Sequence, residues 1–400
     1  MRLKHTLVAA AAVMAIAGQA YGQDISVKIG VMNDRSGLYA DLTGEGSVVA
    51  ARMAAEDFGV EAKGWNVEFV SADHQNKPDV ASTIARTWYD EDGVDVIVDV
   101  PTSSAALAVN QITREKNKVF LISGAASSAL TGEQCSPNTI HWTYDTWALA
   151  NGTGRAMVQA GGDTWFFLTA DYAFGHALEQ DTAAVVEATG GKVLGAVRHP
   201  FPGQDFSSFL LQAQASGAKV IGLANAGGDT INSIKQAAEF GITQAGQNLA
   251  GLLVFITDVH ALGLETAQGL VLTEAFYWDL NDGTREWSRR FAANHNGNMP
   301  TMIHAGVYSS LLHYFKAIEA LGNTDSEAVV AKMKEMPTSD ALFGEGEIRI
   351  DGRKIHKMYL FEVKSPAEST EAWDYYKLVN EIPADVAFRP LEEGGCELVQ

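Results

Sequence analysis

From Val27 onward, runs of branched and aromatic residues alternate with stretches whose apolar side chains recur at helical spacing, the pattern of strands and helices taking turns along a parallel sheet. Val27–Met32 predicts a strand and Ser47–Phe58 a helix, its apolar positions Val49, Met53, Ala54 and Phe58 and its end marked by Gly59. Trp65–Ser71, Val94–Val100 and Val119–Ser123 predict further strands, with helices over Val80–Tyr89 and Ala105–Glu115 between them. A second series begins after Trp142–Asp145, with strands at Trp165–Thr169, Val193–Arg198, Val220–Asn225 and Leu252–Ile256. The rest reads as additions to these two series: a strand-like run Gly269–Trp278, helices Thr284–Asn294, Met302–Leu321 and Ser326–Met336, and a hairpin of Met358–Lys364 with Trp373–Glu381.

Alternation of this kind predicts an α/β protein made of two doubly wound, Rossmann-like lobes joined by a multi-strand hinge. A chain of 400 residues also exceeds the size at which one core usually stops growing. The expected division is a leader over 1–22, a first lobe from 23–142 and 273–340, a second lobe from 143–272, and a hairpin and tail of the second lobe over 341–400. Crossings between lobes are expected at Trp142–Asp145, around Gly269–Ala275 and near Phe343–Ile348.

The leader is read from Arg2 and Lys4, the apolar stretch Leu7–Ala17, and Ala20-Tyr21-Gly22 before Gln23, the layout of a cleaved export signal. Its apolar part is shorter than the roughly 20 residues a membrane span needs. A mature chain in the periplasm follows. Removing Arg2 and Lys4 from the 29 basic residues leaves 27 against 49 acidic ones, a net charge of −22. Such a surface repels nucleic acid and anionic lipid. Cys135 and Cys396 are the two cysteines, and export places them where disulfides persist, so they are expected to pair across a separation of 261 residues.

Motifs of catalysis are missing from the chain. It has no Gly-x-Ser-x-Gly elbow, no phosphate loop, no His-Glu-x-x-His and no Cys-x-x-Cys, and Gly44-Glu45-Gly46 lacks the third glycine of a dinucleotide fingerprint. His304 and His313 lie nine residues apart, on roughly opposite sides of one helix, so neither a metal nor a cofactor is expected. Two short polar loops follow strands instead: Pro101-Thr102-Ser103-Ser104 and Gly124-Ala125-Ala126-Ser127-Ser128. Hydroxyls and free N–H groups at a helix N-terminus suit a carboxylate, and they also suit ordinary capping.

At these residues the chain resembles the type I periplasmic binding proteins, in the leucine/isoleucine/valine-binding-like branch that serves ABC importers. The resemblance runs through Ile29-Gly30-Val31 with Ser36-Gly37, Thr102-Ser103-Ser104-Ala105-Ala106, Ser123–Thr131, and Asp171-Tyr172-Ala173-Phe174-Gly175. It implies a receptor rather than an enzyme, with a small carboxylate as ligand and the importer's permease as partner. It also implies that Ser103 or Ser104, with Ala125 and Ser127, holds the carboxylate, that Phe174 packs on the ligand, and that Asp258 meets an ammonium. Thr102, Ala126, Asn225 and Trp278 complete the candidate set, and Arg35 offers a bidentate partner for a carboxylate. The chain departs from the branched-chain amino-acid pattern at Leu38, where proline often stands, and at Phe174, where tyrosine is usual. Glu274–Asp279 and the tail from Asp351 resemble the members that bind aromatic carboxylates.

Two ligand classes therefore stay open. An α-amino acid needs a buried anion for its ammonium, which Asp258 would supply. An aromatic acid needs a flat apolar slot, for which Phe174, Trp142, Tyr144, Tyr277 and Trp278 are the material. The aromatic acid is the expectation. An amino acid or amide in the same importer class, and a ligand sensor feeding a signalling protein, are the alternatives.

Overall fold

The computed structural model describes residues 25–399, so the expected leader over 1–22 lies outside the described residues. Five parallel strands form the first sheet: β1 (Ser26–Asn33), β2 (Asn66–Asp73), β3 (Val96–Asp99), β4 (Val119–Ile122) and β5 (Thr139–His141), in the order β2-β1-β3-β4-β5. Val-Ile-Val-Asp of β3 and Val-Phe-Leu-Ile of β4 are buried throughout, as central parallel strands covered on both faces must be. The second sheet is also parallel: β6 (Thr164–Ala170), β7 (Lys192–His199), β8 (Val220–Ala224) and β9 (Asn248–Gly251), in the order β7-β6-β8-β9.

The segments after β9 divide between the lobes. Helix Met302–Leu321 packs on helix Gly44–Phe58 of the first lobe. The strands β10 (Val271–Glu274), β14 (Met358–Val363) and β15 (Tyr376–Ile382) form an antiparallel sheet against the second lobe. Between them, β11 (Thr338–Asp340), β12 (Gly344–Ile348) and β13 (Lys354–Ile355) make a small antiparallel sheet.

Two expectations are corrected here. Leu252–Ile256 is not a strand. The strand β9 ends at Gly251, Leu252–Phe255 runs on as loop, and a helix begins at Ile256. The run is apolar because it is buried, its Leu253 and Phe255 facing the space between the lobes. Phe343–Ile348 is not a crossing, and 341–355 does not lie with the second lobe. Sheet β11–β13 leans on helix Ser326–Glu335, and Arg353 bridges His141 at the end of the first sheet. The chain passes to the second lobe only between β13 and β14, where His356 Nε2 bonds the Thr143 carbonyl at 2.8 Å.

Cys135 and Cys396 are bonded, with Cα atoms 5.6 Å apart. The tail is thereby returned to the first lobe, and Arg389 Nη2 donates to the Ser128 carbonyl at 3.1 Å alongside it. Among the described residues, no helix is long and apolar enough to cross a membrane.

Candidate ligand-binding site

Both sheets point the carboxyl ends of their strands at one cleft, where doubly wound folds gather their loops. The loop after β1 is wound around Asp34, whose Oδ1 accepts from Gly37 N at 2.8 Å and whose Oδ2 accepts from Tyr39 N at 2.9 Å. That winding delivers Tyr39 to the cleft. From the first lobe and hinge the cleft is lined by Tyr39, Leu42, Pro101, Gly124, Ala126 and Tyr144. From the second it is lined by Tyr172, Phe174, Ala226, Leu253 and Phe255. These side chains meet closely around the cleft and leave a narrow space of about 10 Å³ between them.

The lobes touch at the mouth. Tyr39 and Tyr172 hydroxyls lie 2.6 Å apart, Tyr172 stacks on Phe201 at 4.1 Å, and Gly228 N donates to the Leu38 carbonyl at 3.4 Å. Gly227 makes this approach possible, since its φ is 56° and a Cβ there would stand 2.8 Å from the Leu38 carbonyl oxygen.

The polar pole is built from two loops that bind each other. Ser103 Oγ, fully buried at the start of helix Ser103–Lys116, accepts from Ala126 N at 3.3 Å and Ser127 N at 3.2 Å. Ser127 Oγ accepts from Ala129 N and caps the short turn Ser128–Thr131. Tyr144 Oη donates to the Gly124 carbonyl at 2.6 Å, and His141 Nε2 bonds the Ala125 carbonyl at 2.8 Å. The N–H groups of Ala126 and Ser127 thus converge on Ser103 Oγ, just behind the wall that Ala126 lines.

Of the candidates, Ala126 and Phe174 line this cleft, Ser103 and Ser127 stand behind Ala126 through the Ser103 Oγ bonds, and the others are set apart from its wall. Arg35 is ion-paired to Glu45 outside the cavity. Thr102 gives its hydroxyl to the Asn76 side chain, Ser104 is half-buried on helix Ser103–Lys116, and Ala125 is held behind the wall through its carbonyl. Asn225 is spent inside the second lobe, donating to Ser233 Oγ at 3.1 Å and accepting from Thr230 Oγ1 at 2.7 Å, and its neighbour Ala226 reaches the cleft instead.

Asp258 and Trp278 also stand behind the surface. Asp258 Oδ2 accepts from Phe255 N at 2.9 Å in the first turn of helix Ile256–Leu262, and burial pushes its carboxyl up to about 7. Glu274, also buried, accepts from Tyr376 Oη at 3.1 Å and is pushed well above the usual carboxylate range. Trp278 donates from Nε1 to the Trp373 carbonyl at 2.7 Å, tying the hairpin to the body. Trp142 likewise braces the hinge, donating from Nε1 to Ser309 Oγ at 2.9 Å.

Sequence reasoning did not find Tyr39, Leu42, Tyr172, Ala226, Leu253 or Phe255. Tyr172 had a signal, because it stands two residues before Phe174 in the Asp171–Gly175 motif. Leu253 and Phe255 were hidden in a run that reads as strand. Among the described residues, no group of His, Cys, Asp and Glu could hold a metal.

The chain matches the periplasmic binding protein family over residues 26–370. A periplasmic binding protein from Burkholderia mallei is 55% identical, with 94% of this chain and 99% of that one covered and a TM-score of 0.91. A branched-chain amino acid ABC transporter periplasmic ligand-binding protein from Burkholderia xenovorans LB400 is 41% identical over 93% and 99%, with a TM-score of 0.83. A solute-binding protein of an ABC transporter from R. palustris, in complex with benzoate, shares the fold at 21% identity over 93% and 99%, with a TM-score of 0.82. The two lobes, the shared cleft and the match across most of its length make this chain a member of the periplasmic binding protein family, with the fold of ABC-transporter solute-binding proteins.

Proposed function

We propose that the protein is the periplasmic receptor of an ABC importer, exported by its leader over 1–22, and that it binds a small aromatic carboxylate between lobes that close on it and hand it to the permease. The observation that carries this reading is the composition of the cleft. Tyr39, Tyr144, Tyr172, Phe174 and Phe255 line it together with Pro101, Gly124 and Ala126 of the two polar loops. Charge-assisted bonds that a carboxylate draws from donors of these loops would contribute roughly 1.5–3 kcal/mol each. With the burial of one ring they support a Kd near micromolar, about −8.2 kcal/mol, after the cost of fixing the ligand. An α-amino acid fits less well, because Asp258 already accepts the Phe255 N–H from behind the wall and burial disfavours its charged form. The benzoate complex of the R. palustris protein supplies the first probe.

Calorimetric titration with benzoate and with leucine tests this. Benzoate is expected to bind, Phe174→Ala to weaken it at least tenfold, and Asp258→Asn to change it little. Leucine binding that is lost with Asp258→Asn would overturn the ligand class in favour of an amino acid. Binding of neither, nor of any other small carboxylate, would remove the proposal.

A further inference from the structure

The chain leaves β3 by a turn that its side chains do not favour. Asp99 has φ 81° and Val100 φ 52°, two successive residues in the left-handed region, the second β-branched and followed by Pro101. A β-branched residue there is a genuine outlier, and such strain persists where the surroundings over-determine it. The consequence of the turn is local. It sends Pro101 to the cleft wall and places Ser103 at a helix N-terminus two residues later.

Asp99 holds the turn from three sides. Its Oδ2 accepts from Asn33 Nδ2 at 3.1 Å, and the same Nδ2 donates to the Gly44 carbonyl at 2.8 Å. Its backbone carbonyl receives Ser123 N at 3.4 Å and Gly124 N at 3.5 Å, the entry to the second ligand loop. Its Oδ1 has no hydrogen-bond partner and lies against Gly124, where an added Cβ would stand 2.8 Å away. Asn33 Oδ1 and Ser47 Oγ, both buried, are also without partners. Asp99 therefore joins the end of β1 through its carboxyl and the loop after β4 through its backbone carbonyl, with Oδ1 packed against Gly124.

Among the described residues, no cation faces this carboxyl. Around it stand Asn33 from β1, Ser47 from helix Gly44–Phe58, Gly124 from the β4 loop, and Tyr144 from the hinge. Tyr144 is pushed well above its ordinary value, by burial first and by Asp99 next. His304, whose ring lies against Gly46, is driven down to about 3 by burial and stays neutral. Burial likewise pushes Asp99 up to about 7. An ionised Asp99 would face an arriving carboxylate one layer away, with only Pro101 and Gly124 between them.

We propose that Asp99 is a positioning residue, holding the two ligand loops in register as an uncharged carboxyl, so that the protein binds an anion in step with keeping a proton there. This rests on the cleft being the ligand site. The group never touches ligand and acts through Gly124 and Ser103. Binding is then tightest where Asp99 is protonated and weakens as pH rises through neutrality, by roughly the fraction of molecules still protonated.

Two measurements test it, one without ligand. Amide hydrogen exchange at residues 100–106 and 123–128, corrected for intrinsic rates, is expected to lose protection between pH 6 and pH 8.5 in the wild type and to stay level in Asp99→Asn. Benzoate, ionised throughout that range, is expected to bind the wild type roughly tenfold or more weakly at pH 8.5 than at pH 6. Asp99→Asn should bind it equally at both. A pH response of the loops that is the same in both proteins overturns the proposal. So does benzoate binding whose pH slope survives Asp99→Asn. Absence of benzoate binding in both proteins would remove the ligand reading alone, and the exchange comparison would still decide the role of Asp99.

Discussion

Tyr39 Oη and Tyr172 Oη stand 2.6 Å apart, one from each lobe, and form the only side-chain hydrogen bond among the residues lining the cleft that joins the lobes across its mouth. Both rings also contact Phe201, Tyr39 at 5.8 Å and Tyr172 at 4.1 Å between centroids. A neutral hydrogen bond of this kind contributes about 0.5–1.5 kcal/mol. Tyr39→Phe or Tyr172→Phe is therefore expected to favour the open form and weaken benzoate binding about two- to tenfold. The double variant should be no worse than either single one, which a double-mutant cycle by calorimetry would reveal. Small-angle scattering should show the apo variants slightly more expanded than the wild type.

The Cys135–Cys396 bond spans 261 residues and fastens the tail beside the turn that Ser127 caps. Removing a native disulfide costs typically about 2–5 kcal/mol. Cys135→Ala/Cys396→Ala is expected to lose stability in that range in a urea titration. A midpoint equal to that of the oxidised wild type would show that the Arg389 contact to the Ser128 carbonyl holds the tail unaided.

Lys354 has a fully buried ammonium with no hydrogen-bond partner, 4.9 Å from the Trp142 ring centroid and 4.3 Å from that of Phe343. Burial lowers it to about 7. Between about pH 7 and the unfolded value near 10.4 the unfolded chain binds a proton that the folded chain does not, so stability rises with pH across that window. Below it the folded chain must carry the buried charge. Lys354→Met should therefore be more stable than the wild type at pH 6, with the gap shrinking toward pH 10. Parallel pH profiles in thermal unfolding would contradict this.

Gly306 lets helix Met302–Leu321 lie against the first hinge crossing, for a Cβ there would fall 1.9 Å from Thr143 Oγ1. Gly306→Ala forces the helix off the hinge, at a cost typical of overpacking, about 1–3 kcal/mol. Thr143→Ala in the same chain should restore part of it, as read by denaturant midpoint.

Much of this architecture was legible before any coordinates. Periodicity alone placed helix Met302–Leu321 at its observed bounds, and the alternation of strand and helix implied parallel sheets. Local chemistry also pointed to the polar loops, although hydroxyl residues between a strand and a helix serve capping as well, as Ser127 does here. Tertiary structure decided what each side chain meets there. Leu252–Phe255 reads as strand because an apolar run records burial without saying what covers it, and here Leu253 and Phe255 face the cleft, Phe255 against Tyr144 of the hinge. Asn225 and Trp278 carry the right chemistry for a ligand, yet His199 with Ser233 and the Trp373 carbonyl claim them, partners brought near by the fold. The cleft itself had no local signature, because Tyr39 and Tyr172 lie 133 residues apart and become neighbours only through the tertiary fold.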